Sequence, residues 1–301
     1  MLTDQKLPVP PEASGTRLDR FLKGSFPGVP SRSIRFALEA GSVRVDGDIG
    51  VKGRALRAGE TVAVAAIAEP DDWLPVPCDL PGASVAYADR CVAVLCKPHD
   101  VHTEPQRPNE PGTLAGFLRK RYPQVADFAP EPGLSLLTRL DYATSGAIPA
   151  ALTPGAFAFL KKEREQGRIE KGYVCVVEGE VASPFSIDWA IDAGGGPTVR
   201  VLRGRKDPDP HRWTRVEPVR AAHGTTLLRV TISRGKRHQI RAHLAAAGFP
   251  IVGDRRYAAV PSDGPGRSRL MLHAERVAFR HPEREEILSV ECPWPEGFGA
   301  T

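Results

Sequence analysis

A short stretch near the middle of the chain places an acid and a base beside a tight turn. Residues 136–146 read Leu-Leu-Thr-Arg-Leu-Asp-Tyr-Ala-Thr-Ser-Gly, so Arg139 and Asp141 stand two positions apart. The apolar pair at the start predicts the end of a strand, and the small polar residues predict a tight loop. An arginine beside an aspartate keeps the carboxylate ionised, as a carboxylate nucleophile requires. The same triplet is also common as a surface ion pair, so both interpretations stay open here.

Length and composition indicate a globular protein with one large and one small domain. The chain has 301 residues, of which 41% are apolar and 26% charged, and its formal net charge is +5. Residues 15–60 hold nine Lys and Arg against five Asp and Glu, so about +4 of this charge lies in that segment. A basic excess of this size permits nucleic acid as a partner without requiring it.

The cysteines and the hydropathy pattern narrow the class of protein further. The five cysteines are odd in number and show no Cys-x-x-Cys spacing, so we expect neither a disulfide framework nor a thiolate zinc site. The sequence contains no apolar run long enough to cross a membrane, and the N-terminus lacks the profile of a signal peptide. We therefore expect a soluble, cytoplasmic protein with no membrane association.

The first quarter of the chain has the pattern of a small basic module. After a polar, proline-containing tail at residues 1–14, residues 15–65 predict two short helices, begun by Thr16 and Ser31, and then a hairpin. The prolines and acids of residues 66–83 predict a linker. The basic residues of the module form either a solvated face or a surface that contacts RNA.

Residues 84–301 predict a larger, strand-rich body. One apolar strand ends in Lys97-Pro98, and another carries Tyr173 near its start, where the ring either packs in the core or stacks on a base. A further strand leads into a helix on which Arg237 and Arg241 share one face. The turn-rich segment 192–214 carries a basic cluster, which is either a solvated loop or a contact for RNA phosphates. Loop histidines in this body lack the spacing of a metal site.

Four segments in chain order resemble the RluA-type pseudouridine synthases, enzymes that isomerise uridine in ribosomal or transfer RNA. The segments are Lys97-Pro98, Arg139–Asp141 with Thr144–Gly146, residues 171–179, and residues 235–244 followed by Gly253-Asp254. In the same way, the N-terminal pattern at residues 17–22, 31–35 and 41–47 resembles the RNA-binding module of a small-subunit ribosomal protein. The resemblance implies an α+β protein: a small αα-β RNA-binding module, then a catalytic domain built on a mixed, mainly antiparallel, bent sheet.

The resemblance also implies a role for each matching residue. Asp141 corresponds to the nucleophile, Arg241 to its basic partner, and Tyr173 to the tyrosine that stacks on the target base. Arg139 corresponds to the residue that helps to flip the uridine out, and Ile240 to an apolar contact in the pocket. The remaining RNA-binding candidates are Arg32, Arg35, Arg44, Lys97, Lys236, Arg237, His238 and Gln239. The reaction oxidises nothing and imports no group, so no cofactor and no metal are implied.

The sequence departs from the family pattern at a few positions. Thr138 stands where the family usually has histidine, Pro149 lies in a predicted strand and should push it toward a sheet edge or a bulge, and Cys175 should fit as a buried thiol.

The expected function is the isomerisation of specific uridines in structured RNA, with large-subunit rRNA favoured over tRNA because of the N-terminal module. A tRNA pseudouridine synthase, or a non-catalytic RNA-binding or ribosome-assembly protein with the same fold, is the alternative. A carboxylate-dependent hydrolase would need a second acid beside Asp141, and the neighbouring segments offer none. We expect a monomer.

Overall fold

Two helices and a four-stranded sheet make up the N-terminal unit. The computed structural model describes residues 1–258 and 269–298, and this unit comprises residues 1–76 and 105–111. Its strands are β1 (Leu2–Pro8), β2 (Val43–Val45), β3 (Asp48–Ile49) and β4 (Thr61–Ile67), in the order β1-β4-β2-β3. Its helices are α1 (Leu18–Ser25) and α2 (Ser31–Glu39).

Apolar residues at helical spacing hold α1 and α2 on this sheet. Leu18 and Leu22 of α1 and Ile34 and Leu38 of α2 are buried against the valines of β2 and β4. Both helices begin without a side-chain cap, so the predicted capping by Thr16 and Ser31 is wrong.

The N-terminal unit is larger than the sequence predicted. Residues 1–14 were expected to be a loose tail, but β1 pairs with β4 over the whole stretch from Leu2↔Ile67 to Pro8↔Thr61. Most side chains of β1 are exposed, so the strand is held by its backbone and shows no apolar alternation in the sequence. The first residues of the expected linker at 66–83 belong to β4. The same segment contains Trp73, which is buried and whose indole N–H donates to Ser33 Oγ at 2.7 Å.

A nine-stranded sheet forms the centre of the second unit, which spans residues 77–104 and the chain from 112 onward. Its strands are β5 (Ser84–Ala88), β6 (Val92–Lys97), β7 (Ser145–Ala151), β8 (Glu170–Glu178), β9 (Phe185–Ile187), β12 (Thr214–Ala222), β13 (Thr225–Ile232), β14 (Leu272–Arg280) and β15 (Ile287–Glu291). Their order is β5-β6-β7-β14-β8-β13-β12-β9, with β15 on β14. A separate hairpin consists of β10 (Trp189–Asp192) and β11 (Arg200–Lys206).

Four helices accompany this sheet: α3 (Leu114–Arg121), α4 (Val125–Phe128), α5 (Pro154–Glu165) and α6 (Gln239–Ala246). Apolar residues of α3, α5 and α6 join three different clusters of the core, so the sheet is covered at several places. The sheet is mixed and mainly antiparallel, as expected, because only β7 and β14 pair in parallel among the described strands. No helix in the described ranges is long and apolar enough to cross a membrane.

Strand β7 lies inside the sheet, between β6 and β14, although Pro149 was expected to push it to an edge or a bulge. Among the described residues of β7, only Ser145 and Gly146 pair with β14. Pro149 lies beyond these pairs, so its lack of an N–H group removes no hydrogen bond between the two strands. At Gly146 φ is +121°, and a Cβ atom would overlap the backbone of Ala274. Glycine is therefore required at this crossing point.

A disulfide joins Cys96, near the end of β6, to Cys292, just after β15. We expected no disulfide from the number and spacing of the cysteines, and for this pair the expectation is wrong. The two cysteines are 196 residues apart, so no local spacing reveals that the sheet brings their Cα atoms to 5.8 Å. Cys175 is a buried free thiol, as expected.

Candidate active site

The loop that carries Asp141 is held by hydrogen bonds at both ends. Leu137 N–H donates to Pro149 O at 2.9 Å, and Thr144 N–H donates to Asp141 O at 3.1 Å. Between these points the buried Thr103 hydroxyl donates to Leu140 O at 2.9 Å and accepts from Leu140 N–H at 3.2 Å. The backbone around Asp141 is thus set by contacts with the sheet and with an adjacent loop.

Lys97 supports the same loop from inside the protein. Its ammonium donates to the carbonyl oxygens of Pro98 at 3.0 Å, Val101 at 2.7 Å and Tyr142 at 3.1 Å, and only 2% of the residue is exposed. Burial lowers the pKa of Lys97 to about 7, and the nearby charge of Asp141 opposes this shift. The prediction that Lys97 contacts RNA is wrong, because its three donors are used on backbone carbonyls.

Arg241 joins two carboxylates that are far apart in the sequence. Its Nη1 donates to Asp141 Oδ2 at 2.8 Å, while Nε and Nη2 donate to the two oxygens of Asp254, each at 2.8 Å. Burial disfavours the charge of this guanidinium, but the two carboxylates outweigh burial and raise the pKa of Arg241. Burial likewise acts to raise the pKa of Asp254, yet its bonds with Arg241 and two backbone amides bring that pKa below its usual value.

Asp141 is held through one oxygen only. Its Oδ2 receives Arg241 and lies 3.8 Å from Nε2 of His238, whereas Oδ1 has no recorded partner among residues 1–258 and 269–298. One quarter of the side chain, 25%, is exposed. A carboxylate fixed in this way presents its second oxygen to a substrate, which is the arrangement that a nucleophile needs.

Tyr173 and Ile240 are buried beside this loop. Tyr173 lies on β8 and Ile240 on α6, and both belong to the apolar cluster against which Leu140 and Ala143 pack. Burial, and to a smaller extent the charge of Asp141, raises the pKa of Tyr173, so its hydroxyl is neutral. The structure thus brings the predicted base-stacking residue and the predicted apolar contact to the same centre.

Two other side chains of the loop are exposed. The side chain of Arg139 is 67% exposed and forms an ion pair with Glu104. Tyr142 is 51% exposed, and its ring meets that of His102 edge-on with 4.8 Å between centroids. An RNA substrate can reach both residues without a change in the core.

The residues before α6 fasten the β10–β11 hairpin. Lys236 donates to Ile191 O at 3.2 Å and Asp207 at 3.0 Å. Arg237 donates to three carbonyls of the turn at residues 193–198, at 2.8–3.3 Å.

Gln239, the first residue of α6, is buried. Its amide nitrogen donates to Arg212 O at 2.7 Å and to Thr214 Oγ1 at 3.0 Å. The predicted RNA contact of Gln239 is therefore wrong, because the side chain has no exposed polar group to offer.

The same hairpin has a basic bulge. Ala190 pairs with Leu202 and Trp189 with Lys206, so residues 203–205 have no partner on β10. Arg203 and Arg205 in this bulge are exposed, and neither has a recorded ion pair or hydrogen bond within the described parts of the chain. The two guanidinium groups remain available for an anionic partner.

In the N-terminal unit the three predicted RNA-binding arginines differ in their surroundings. Arg32 is half-buried, with its guanidinium 4.9 Å from the ring centroid of Trp73. Arg35 is exposed on α2, and the exposed Arg44 donates to Gly47 O at 2.8 Å. RNA contacts by these residues stay a prediction.

One cluster has the composition of a metal site. The ligand atoms of Asp89, Cys91 and His281 lie within 4.8 Å of one another. However, His281 Nδ1 accepts the backbone N–H groups of Glu283 at 3.2 Å and Arg284 at 3.1 Å, so the ring proton is on Nε2, which lies 2.8 Å from Asp89. A metal would need that nitrogen bare, and the cluster fits a hydrogen-bonded brace instead.

Comparison with known proteins identifies the family. The model for RNA pseudouridylate synthase matches residues 91–246. The chain is 31% identical to ribosomal large subunit pseudouridine synthase C of Escherichia coli K12, over 95% of this chain and 92% of that protein. This chain belongs to the RNA pseudouridylate synthase family. It is also 30% identical to ribosomal large subunit pseudouridine synthase D of Xanthomonas campestris, over 96% of this chain and 88% of that protein.

Solved structures support the fold of this pseudouridine synthase. Human RNA pseudouridylate synthase domain containing 1 has a TM-score of 0.58 and 26% identity, over 73% of this chain and 86% of that chain. Human RNA pseudouridylate synthase domain containing 4 has a TM-score of 0.55 and 19% identity, over 72% of this chain and 90% of that chain. At this identity the similarity supports the fold alone. The RluA-type resemblance is therefore confirmed and the chain is an RNA uridine isomerase. The ribosomal-protein-like character of the N-terminal unit stays a prediction.

Sequence reasoning missed Asp254 as a member of the site. The Gly253-Asp254 pair was noted, but nothing in the sequence links it to Asp141, because the connection runs through Arg241. The side chain of Asp254 is 0% exposed and both its oxygens are bonded to that guanidinium. It is a second acid near Asp141, as a hydrolase would require, yet it cannot exchange protons with a substrate.

Proposed function

We propose that this enzyme converts a specific uridine of large-subunit rRNA to pseudouridine, with Asp141 as the nucleophile. The observation that carries the proposal is the one-sided support of Asp141, whose Oδ2 is bound by Arg241 while Oδ1 is left for the reaction. The substrate class is supported by the names of the relatives, which are large-subunit rRNA enzymes. We also propose a monomer that works in the cytoplasm.

The reaction requires that a uracil leave its stack, lose one bond to the ribose and regain another. The N1–C1′ bond breaks, a C5–C1′ bond forms, the C5 proton is lost and N1 gains a proton. Asp141 Oδ1 would form a transient covalent bond with the sugar or with the ring. The side chain of Arg139 is exposed and could enter the RNA helix as the base flips out. Tyr173 and Ile240 would hold the flipped base.

We propose that exposed arginines in each of the two units separately contact RNA phosphates. In the second unit these are Arg203 and Arg205 of the hairpin bulge, and in the N-terminal unit Arg35 and Arg44 on α2 and β2. Their charges are exposed, so contact with phosphates would release counterions and give salt-dependent affinity.

The proposal is tested first by mapping pseudouridine in total RNA from cells with and without the gene. We expect one or more sites to disappear from large-subunit rRNA. Loss from a tRNA alone would replace the proposed substrate, and an unchanged map would contradict the activity.

The nucleophile is tested with purified protein. Asp141→Asn should abolish release of tritium from C5-labelled uridine in rRNA while RNA affinity stays within about twofold, because affinity depends mainly on phosphate contacts. Asp100→Asn is the matched control, since Asp100 is an exposed acid paired with His99 in a neighbouring loop. An active Asp141→Asn enzyme would show that the nucleophile is another residue.

A further inference from the structure

A chain of hydrogen bonds leads from the β10–β11 hairpin to His238. Val199 N–H donates to the hydroxyl oxygen of Tyr257 at 2.9 Å, and the same oxygen lies 2.9 Å from His238 Nδ1. The hydroxyl has one proton, and within residues 1–258 and 269–298 its only other recorded neighbour is this Nδ1. The arrangement that satisfies every group has Tyr257 donating to Nδ1.

The tautomer of His238 follows from this chain. Because Nδ1 accepts the Tyr257 proton, the neutral ring carries its own proton on Nε2. Nε2 lies 3.8 Å from Asp141 Oδ2, about 1 Å beyond hydrogen-bond length. Burial, together with the charges of Arg241 and Arg237, lowers the pKa of His238, and Asp141 opposes this, so the ring is neutral near pH 7. The neutral ring therefore carries an N–H group whose nitrogen lies 3.8 Å from the carboxylate oxygen.

The backbone also aims this ring. His238 precedes the first residue of α6 and has φ of +55°, in the left-handed region that is uncommon for residues other than glycine, although asparagine, aspartate and histidine adopt it more often than the rest. Such a conformation costs about 1 kcal/mol or more and persists only where surrounding contacts hold it. Here Arg237 on one side and the Tyr257 bond on the other provide those contacts.

We propose that His238 is a catalytic residue whose Nε2–H closes the 3.8 Å gap and donates to Oδ2 of Asp141 when the uridine is bound, and that Tyr257 is the positioning residue that keeps the proton on that nitrogen. The proposal rests on the proposed function. With Arg241 and His238 on Oδ2, the covalent bond can form only at Oδ1. When the Oδ1–carbon bond breaks, its electron pair returns to the carboxylate, and the two donors stabilise the restored charge. The proton stays on Nε2 throughout.

Two substitutions at one position separate this role from a structural one. In His238→Gln the amide nitrogen reaches the place of Nε2 and can donate to Asp141. In His238→Asn the amide takes the place of Nδ1, and the side facing Asp141 has no donor. Asparagine tolerates the left-handed backbone better than glutamine, so backbone strain would penalise the glutamine variant.

We expect the single-turnover rate of His238→Asn to fall about 10- to 100-fold, the size of a hydrogen bond to a charged group. His238→Gln should recover most of this loss, and RNA affinity should change less than about twofold in either variant. Equal losses in both variants, or a wild-type rate in His238→Asn, would overturn the catalytic role while the proposed function stands. An inactive wild-type protein would overturn both.

A spectroscopic measurement tests the tautomer independently of activity. Histidine ring ¹⁵N shifts of the whole protein should show His238 as the Nε2–H form, with its signal assigned by its loss in His238→Asn. In Tyr257→Phe the signal should move toward a mixture of tautomers and the turnover rate should fall, while Arg241 keeps its place on Asp141. An Nδ1–H form in the wild-type protein would refute the proposed positioning by Tyr257.

Discussion

Removing one partner of the buried ion pair between Arg241 and Asp254 should strongly destabilise the catalytic unit. Asp254→Asn preserves the shape of the side chain but removes its charge and turns one oxygen into an NH₂ group. In the wild-type protein Asp254 Oδ1 accepts backbone N–H donors, and Asp254 Oδ2 accepts Arg241 Nε at 2.8 Å. If the asparagine oxygen keeps the backbone donors, its NH₂ group takes the place of Oδ2 and faces Arg241 Nε. Two donors then face each other in a place where Asp254 is 0% and Arg241 only 7% exposed.

Breaking a buried ion pair on one side costs about 3–5 kcal/mol, and here the buried guanidinium loses one of its two carboxylates while Asp141 remains as the other. For a unit of about 200 residues this corresponds to a fall in melting temperature of about 6–20 °C. We would measure it by thermal and urea unfolding followed by circular dichroism. Activity should fall as well, because Arg241 loses the partner that orients it toward Asp141.

The matched control is Asp192→Asn. Asp192 forms an exposed ion pair with Arg200, 3.4 Å apart, with side-chain exposures of 49% and 75%. Such a pair contributes less than about 1 kcal/mol. If Asp254→Asn were no more destabilising than this control, the reasoning about the buried pair would be refuted.

The same pair predicts a dependence on pH. The pKa of Asp254 in the folded protein lies below its unfolded value, so the native state binds fewer protons than the unfolded state. The stabilisation that Asp254 provides is therefore complete above the unfolded pKa, near pH 4. It is lost as pH falls through the lower, folded pKa. The wild-type free energy of unfolding should therefore decrease more steeply below about pH 4 than that of Asp254→Asn.

Two other regions give separate predictions. Gly146→Ala should destabilise the protein by about 2 kcal/mol or more in urea unfolding, because the new Cβ overlaps the Ala274 backbone. Gly155→Ala, on a helix where a Cβ meets nothing within 4 Å, should be neutral or stabilising by about 0.5–1 kcal/mol. In filter binding at several salt concentrations, Arg203→Gln and Arg205→Gln should each reduce the slope of log Kd against log salt by about 0.7–0.9.

The control for the hairpin arginines is Arg280→Gln, which removes an exposed charge at the end of β14. Its slope should equal that of the wild-type protein. If the Arg203→Gln and Arg205→Gln variants had the same slope as Arg280→Gln, the bulge would be excluded as a phosphate contact. If Gly146→Ala had the same free energy of unfolding as the wild-type protein, the two strands could move apart at this position to admit the Cβ atom.

The candidate site residues could be named from the sequence because each lies in a short segment that resembles the family. Asp141 and Arg139 share one loop, and Arg241 follows the strand-to-helix pattern of residues 227–244. The mixed, mainly antiparallel sheet was expected from that resemblance, whereas the apolar strands and turns along the body indicate only a strand-rich domain. The structure shows that these segments meet, with Asp141 and Arg241 100 residues apart.

What could not be predicted depends on partners distant in the chain. A lysine at the end of a strand is usually exposed, and only the carbonyls of Val101 and Tyr142 show that Lys97 is internal. Strand β1 lacks apolar alternation because it is held by backbone bonds to β4. Asp254 has a defined role only through its contact with a guanidinium from another element.

The parallel pairing of β7 with β14 has a consequence for the order in which the enzyme is made. Gly146 pairs with Ala274, and the 128 positions from 147 to 274 are synthesised after Gly146. At about 5–20 residues per second this takes about 6–26 s. A nascent chain that ends before Leu272 already contains Asp141 and Arg241, but β7, the strand that follows the Asp141 loop, is then paired with β6 and lacks its partner β14. The pairing of β7 is therefore completed only after β14 has been translated.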